Sequence, residues 1–165
     1  MKTVLIPTDF NLESLKVIDA LVLTNQAETF KIVFIHAFKL SDSITDMLML
    51  SRRSRDYEYI SDEFYEQMNV YKEKFADQIH MIGVEYFYGS TAAAFRNFTE
   101  NLAVDCIAYP VDYNFNPINK YSIDPKNLIE RAKCEVLTFN INNIPAAENL
   151  YETKIPEKTF KILSV

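Results

Sequence analysis

Ser90 stands where one large class of hydrolases places its nucleophile, after a strand pattern and at the start of a helix pattern. The surrounding sequence, YGSTA at residues 88–92, lacks the second glycine of the G-x-S-x-G motif. Capping of the following helix by Ser90 or Thr91 explains a hydroxyl at this place without catalysis. We therefore predict no serine nucleophile and assign no catalytic residue in the chain.

The histidines and cysteines do not suggest a metal or redox site. His36 and His80 are the only histidines, they fall on different predicted elements, and neither has a cysteine or carboxylate at ligand spacing. Cys106 and Cys134 lie in apolar or strand-flanking stretches, which favours buried thiols over a disulfide framework. We expect no metal.

Glycine is scarce in this chain. Its 165 residues include two glycines, Gly83 and Gly89, where about 12 would be usual at roughly 7%. Loops that cradle phosphate need glycine, because the backbone must reach positive φ and approach the anion without a Cβ. The composition therefore disfavours functions that depend on a glycine-rich phosphate loop.

Charge and hydropathy exclude other classes of partner. The net charge of −6 disfavours nucleic acid, and the short basic cluster at residues 52–55 precedes an acidic stretch, as in a solvated helix start. No run approaches 18 apolar residues, so we expect no membrane span. The sequence reaches Pro7 too soon for a signal peptide, and we expect a cytoplasmic protein.

Strand and helix patterns alternate along the chain and define the elements that must position any site. Apolar, β-branched runs predict five strands, at residues 3–6, 31–37, 84–88, 105–109 and 135–139. Helical spacing predicts helices after Asn11, from Tyr57 to Ile79, after Gly89, and at residues 126–132 behind an Asp124-Pro125 cap. Strands separated by helices form right-handed crossovers, so the prediction is an α/β fold with a parallel sheet and helices on both faces.

Three stretches, in this order and spacing, resemble the universal stress protein family over residues 1–139. Residues 4–10, VLIPTDF, resemble the family's first strand and turn, and residues 34–37, FIHA, resemble its second strand. Residues 132–137, AKCEVL, resemble the stretch that leads into its last strand. The resemblance implies a doubly wound, Rossmann-like sheet of five strands in the order 3-2-1-4-5. It also implies a ligand crevice at the carboxyl ends of strands 1 and 4.

The resemblance also implies which residues face that crevice. In the branch of the family that binds ATP, an aspartate matching Asp9 and the end of strand 2 hold the nucleoside, and a G-x2-G-x9-G-[ST] loop holds the phosphates. The binding candidates carried over to this sequence are Pro7, Thr8, Asp9, His36, Ala37, Tyr109, Pro110, Asp112 and Ser122.

The glycine positions of that loop hold other residues here. The first Gly-x-x-Gly falls on residues 110–113, where Pro110 lacks an N–H donor and Tyr113 brings bulk. The final Gly-Ser falls on Ser122 and Ile123, so all three glycines are missing. Asp124 and Asp112 are expected to place two carboxylates near the helix start that would otherwise attract phosphate. We therefore expect no ATP binding through this loop, and no cofactor.

The loop at residues 109–121 is rich in aromatic residues, and two interpretations of it remain open. It fills the space where a nucleotide would sit, or it lines a pocket for an apolar or planar ligand. The aromatic residues of the loop are Tyr109, Tyr113, Phe115 and Tyr121.

The sequence as a whole favours a non-catalytic protein of stress physiology. We expect a universal-stress-type domain over residues 1–139 that forms a homodimer through the strand from Val136 to Phe139. Residues 140–165 form a C-terminal extension, for which we predict an edge strand at residues 159–165 or a dimer arm. Two alternatives stay open: an ATP- or AMP-binding switch with an atypical loop and slow ATPase activity, and a small-molecule binder that uses loop 109–121.

Overall fold

The computed structural model describes residues 1–40 and 56–143. Two predictions lie outside these residues: the basic cluster at residues 52–55, and the edge strand or dimer arm of the C-terminal extension.

In the described part of the chain, five parallel strands form one sheet in the order β3-β2-β1-β4-β5, which confirms the predicted fold class. The strands are β1 (Lys2–Pro7), β2 (Phe30–Phe38), β3 (Ile79–Tyr88), β4 (Cys106–Pro110) and β5 (Glu135–Phe139). The central strand β1 is covered on both faces, since Val4, Leu5 and Ile6 are fully buried. This explains why its sequence is continuously apolar and does not alternate.

Among residues 1–40 and 56–143, four helices cover the two faces of the sheet, as predicted. They are α1 (Lys16–Thr24), α2 (Asp62–Lys74), α3 (Ala92–Asn101) and α4 (Pro125–Ile129). Helices α1 and α2 bury Ile18, Leu21 and Phe64 on one face. Helices α3 and α4 bury Phe95 and Leu128 on the other. Among the described residues, no helix is both long and apolar enough to cross a membrane.

Helix α2 is shorter than the apolar spacing predicts, because a capping side chain decides where it begins. Ser61 accepts a hydrogen bond from the Phe64 N–H at 3.1 Å and has extended backbone. Tyr57–Tyr59 forms a separate 3-10 turn before this cap. The prediction that one helix starts at Tyr57 is therefore wrong.

The end of that predicted helix belongs to a strand. Ile79 is the first residue of β3, which begins five residues earlier than predicted. The Phe30 N–H donates to the Gln78 carbonyl at 2.6 Å, so pairing with β2 takes over the backbone here. Helix α4 is also shorter than predicted and ends at Ile129.

The predicted helix starts are confirmed at α3 and α4. The Thr91 hydroxyl accepts from the Ala94 N–H at 3.1 Å, which selects Thr91 over Ser90 as the cap of α3. Asp124 accepts from the Lys126 N–H at 3.0 Å and Pro125 occupies the first helical position, as the sequence predicts. Ser90 is thus not the cap of α3.

The packed part of the chain continues past residue 139. Ile141, assigned by sequence to the extension, is 2% exposed and belongs to the core on the α1–α2 face. Its N–H donates to the Asp112 carboxylate at 2.8 Å, and the Asn142 N–H donates to the same group at 2.9 Å. These bonds hold the backbone that leaves β5.

Candidate functional site

The crevice predicted from the sequence lies where β1 ends between β2 and β4, and a rigid turn forms its floor. Buried Thr8 donates its N–H to the Ile35 carbonyl at 2.8 Å, and its hydroxyl accepts from the Phe10 N–H at 2.9 Å. The Ser14 hydroxyl donates to the Asn11 carbonyl, so the Thr8 hydroxyl must be the donor in its 2.7 Å bond to Ser14. Donor and acceptor roles are thereby fixed for the hydroxyls of Thr8 and Ser14.

Phe10 completes this turn in a backbone conformation that normally favours glycine. Its φ is 63°, and its side chain is 8% exposed. Its ring centroid lies 5.5 Å from that of Phe64 and 5.6 Å from that of Tyr86, both in edge-to-face geometry. Aromatic packing therefore holds a turn that a chain with few glycines makes with phenylalanine.

Asp9, the residue that matches the family's nucleoside-binding aspartate, is bound by the chain itself. The Tyr113 hydroxyl donates to the carboxylate, 2.7 Å from one oxygen and 2.9 Å from the other. The Asn116 N–H donates at 2.9 Å and the Asn11 N–H at 3.1 Å. Burial, together with the bond to Asp9, raises the pKa of the Tyr113 phenol, so it remains a donor. Donors from the loop thus occupy both oxygens of Asp9.

His36 links the floor of the crevice to the end of the same loop. Its Nδ1 lies 2.8 Å from the Thr8 carbonyl, which can only accept, so Nδ1 carries the proton. Its Nε2 then accepts from the Ser122 hydroxyl at 2.9 Å. Burial lowers the pKa of His36, an effect that the Thr8 hydrogen bond and the Asp9 charge oppose. The neutral imidazole is therefore the form that this network requires.

The Ser122 hydroxyl is engaged in hydrogen bonds to the loop and to His36. Its oxygen accepts from the Ile118 N–H at 2.9 Å and from the Asn119 N–H at 3.4 Å, while its proton goes to His36. Both lone pairs of the Ser122 oxygen and its proton are therefore engaged within this network.

Backbone pairing fixes the loop along the end of β2. The Ile123 N–H donates to the Ala37 carbonyl at 2.9 Å, and the Lys39 N–H donates to the Tyr121 carbonyl at 2.8 Å. Aromatic contacts hold the middle of the loop, where Phe115 lies against Tyr113 with ring centroids 4.9 Å apart. Residues 111–123, called the closing loop from here on, lie across the crevice.

Asp112, one of the predicted binding residues, is held by the backbone that follows β5. Asp112 was expected beside the start of α4, but its carboxylate accepts the two N–H groups that follow β5, and that expectation is wrong. The Val111 N–H donates to the Phe139 carbonyl at 2.9 Å, so β4 runs alongside β5 for one more residue and turns Asp112 away. Burial would raise the pKa of Asp112, but the backbone hydrogen bonds outweigh it and lower the pKa. Pro110 is buried as the last residue of β4.

The remaining predicted residues divide between the crevice and its surroundings. Thr8, His36, Ala37 and Ser122 line one cavity of about 210 Å³. Pro7 lines a smaller space against α3 and α4 that adjoins this cavity, since Ile35, Ala37 and Pro125 line both. Tyr109 lies beneath the closing loop, its ring stacked on Phe115 with centroids 6.1 Å apart. Within residues 1–40 and 56–143, no three His, Cys, Asp or Glu side chains are grouped to hold a metal.

Sequence reasoning missed two contacts that define the site. Tyr113 was recognised as bulk at a glycine position, but its hydroxyl bond to Asp9 was not foreseen. The Asn116 N–H bond to Asp9 has no sequence signal, because any residue but proline supplies a backbone donor. The sequence signal for the Tyr113 contact is a tyrosine at a position where the family has glycine.

The cysteines lie outside the crevice. Cys106 is buried in β4, as predicted, and burial raises the pKa of its thiol to about 11. Burial likewise raises the pKa of the half-buried Cys134 thiol. Both thiols are therefore poor nucleophiles at neutral pH.

No protein-family model matches the chain, and no curated protein sequence matches it. Among solved structures, a hypothetical protein, PH0823, superposes with a TM-score of 0.53 at 17% identity, covering 84% of this chain and 95% of that one. Universal stress protein UspA from Lactobacillus plantarum gives a TM-score of 0.52 at 13% identity, covering 84% and 97%. A universal stress protein in complex with cAMP gives 0.50 at 17% identity, covering 85% and 97%.

These likenesses and the strand order define the class of fold. The chain has the fold of the universal stress proteins, a Rossmann-like α/β sheet in the order 3-2-1-4-5. The resemblance seen in the sequence is confirmed at the level of the fold.

Proposed function

We propose that this chain is a non-catalytic, cytoplasmic protein of the universal stress type, acting in stress physiology, whose nucleotide crevice is closed by its own loop. The observation that carries the proposal is Asp9, whose two carboxylate oxygens accept hydrogen bonds from Tyr113 and Asn116. A nucleoside that used Asp9 would first have to displace both donors. The closing loop therefore competes with a nucleoside for the Asp9 carboxylate.

The phosphate side of the crevice supports the same proposal. Tyr113 stands at a glycine position of the family loop and is used to bind Asp9 instead. Asp124 caps the start of α4, where the family holds phosphate, and no lysine or arginine lines the described cavity. A triphosphate would meet the Asp124 carboxylate, with no lysine or arginine among the described lining residues to offset the repulsion.

Thermal unfolding with ATP, with and without Mg²⁺, tests nucleotide exclusion. A ligand at 100 times its Kd stabilises by about 2.7 kcal/mol. At about 2–4 °C per kcal/mol, the midpoint would rise by at least roughly 5 °C. We expect no rise with ATP or AMP. A clear rise would instead support the nucleotide-binding switch. Because one structural neighbour was solved in complex with cAMP, cAMP is tested as a third nucleotide beside ATP and AMP.

We also propose a homodimer that pairs through β5. This strand forms one edge of the described sheet, and its residues are half-buried or exposed in the single chain. An edge strand offers unpaired backbone donors and acceptors to a second copy. Light scattering at micromolar concentration should give twice the chain mass of 19.2 kDa. A species of single-chain mass would rule the dimer out.

A second candidate function has one observation in its favour. The closing loop does not fill the crevice completely, since the cavity of about 210 Å³ remains beneath it. Both polar and apolar side chains line this space, as in small-molecule sites. The chain is then a small-molecule binder in which the loop supplies part of the pocket.

A further inference from the structure

The cavity beneath the closing loop has the size of a single ring system. Its volume is about 210 Å³. An engineered cavity of about 150 Å³ binds benzene, and pockets for drug-sized ligands span roughly 300–1,000 Å³. The space therefore takes one ring, or two small fused rings, and does not take a nucleotide.

The walls of the cavity are suited to the face of a flat molecule. Ile35 and Ala37 of β2 form one part, and Phe115, Pro117 and Pro125 form others. Branched, ring-shaped and aromatic side chains offer rigid apolar surface, so contact with a planar ligand costs little side-chain entropy. These walls favour a ring over a flexible chain.

The polar groups of the cavity are already committed, with the exception of one carboxylate oxygen and an amide. Both nitrogens of His36 and the hydroxyl of Ser122 are used in the loop network. One oxygen of Asp124 caps α4, and the other has no hydrogen-bond partner among the described residues. The Asn116 side-chain amide, also at the cavity, has none either.

The charge of these groups sets the kind of ligand. Asp124 contributes negative charge, and neither lysine nor arginine is among the described residues that line the cavity. An anionic ligand would be repelled, whereas a cationic group or an N–H donor would gain a charge-assisted hydrogen bond. The cavity therefore favours cationic ligands, whereas a phosphate site favours anionic ones.

We propose that this cavity binds a small planar ring bearing a cationic or N–H donor group, which Asp124 recognises. The proposal rests on the second candidate function and names the ligand class for the same site. The ring lies between β2 and the closing loop, and its donor group points to the start of α4.

Three probes of equal size and different charge test this proposal: benzamidine, benzamide and benzoate. Each is titrated into ¹⁵N-labelled full-length protein, and backbone amide shifts are followed at residues 35–37, 115–117 and 122–124. We expect benzamidine to bind roughly three- to fivefold more tightly than benzamide, the gain typical of an exposed ion pair. Benzoate should give no saturable shift over the range in which benzamidine saturates.

A charge-removing variant assigns the selectivity to one residue. Asp124→Asn keeps a good helix cap and removes the charge, so benzamidine should then bind no more tightly than benzamide. Glu130→Gln makes the same change at the other end of α4, outside the cavity, and should preserve the preference. Unchanged preference in Asp124→Asn would overturn the assignment.

The outcomes separate this inference from nucleotide exclusion. Equal binding of benzoate and benzamidine, or no shifts at the cavity residues, overturns the ring site. Neither result contradicts the proposal that the closing loop excludes nucleotides from Asp9. Binding of ATP with benzamidine selectivity intact overturns nucleotide exclusion and supports the ring site.

Discussion

At the scale of single residues, the central interactions of this protein join a buried histidine and a carboxylate to one loop. His36 holds Ser122 and the Thr8 carbonyl through opposite ring nitrogens. Asp9 holds Tyr113 and Asn116. A protonated His36 would place a second N–H against Ser122, whose oxygen already accepts two N–H donors. The neutral ring is part of what keeps the loop closed.

The lowered pKa of His36 predicts a loss of stability in mild acid. His36 takes up a proton near pH 6.5 in the unfolded chain and only at lower pH in the folded chain. The stability that depends on neutral His36 is therefore fully present above about pH 6.5. It declines as the pH falls from there through the folded pKa, by at most about 1.4 kcal/mol per pH unit. Urea unfolding between pH 5 and pH 8 measures the slope.

Two histidine variants isolate this effect. His36→Asn keeps a donor for the Thr8 carbonyl but does not titrate, so the slope should flatten while overall stability falls. His80→Asn removes the other, exposed histidine and should retain the wild-type slope. An unchanged slope in His36→Asn would assign the acid sensitivity to other groups.

At the scale of elements, caps and strand pairing determine where a helix begins and ends, and the apolar spacing does not. The apolar spacing from Tyr57 to Ile79 is continuous, yet Ser61 begins α2 and strand pairing claims Ile79. Periodicity reports which face is buried, and it does not report where a cap or a neighbouring strand competes for the backbone. The helix was thus predictable, and its limits depended on contacts between residues distant in sequence.

Helix α3 ends in a motif that usually contains glycine. Ala103 has a φ of 53°, its N–H donates to the Glu100 carbonyl, and the Val104 N–H donates to the Thr99 carbonyl, both at 3.0 Å. Ala103→Gly should raise the free energy of unfolding by about 1 kcal/mol, because glycine adopts this conformation without strain. Urea unfolding at neutral pH measures the change.

The matched control is a second alanine of the same helix. Ala93 is exposed within α3, and Ala93→Gly should lower the free energy of unfolding by about 0.5–1 kcal/mol. Opposite signs for the two substitutions are the expected result. Destabilisation by Ala103→Gly would show that the methyl group of Ala103 contributes packing that exceeds its backbone strain.

At the scale of the whole molecule, the fold of the universal stress proteins is combined with a loop that lies across the crevice at the end of β1. The apolar runs predict the five strands, the resemblance to the universal stress proteins implies their order, and the residue types at the loop positions show the missing glycines. The use of Tyr113 could not be anticipated, because the bond to Asp9 joins residues 104 positions apart. The same holds for Asp112, whose partners lie about 30 positions further along the chain. Such contacts follow from the folded arrangement of loops and have no local pattern.

The closing of the crevice is tested most directly by the energetic coupling between Asp9 and Tyr113. A double-mutant cycle with Asp9→Ala and Tyr113→Phe, measured by urea unfolding, should give about 1.5–3 kcal/mol, the range for hydrogen bonds to charged groups. Tyr109→Phe, which alters a neighbouring ring with no hydrogen bond to Asp9, is the control and should be additive with Asp9→Ala. Coupling below about 0.3 kcal/mol between Asp9 and Tyr113 would contradict the account, since the loop would then leave the carboxylate available to a ligand.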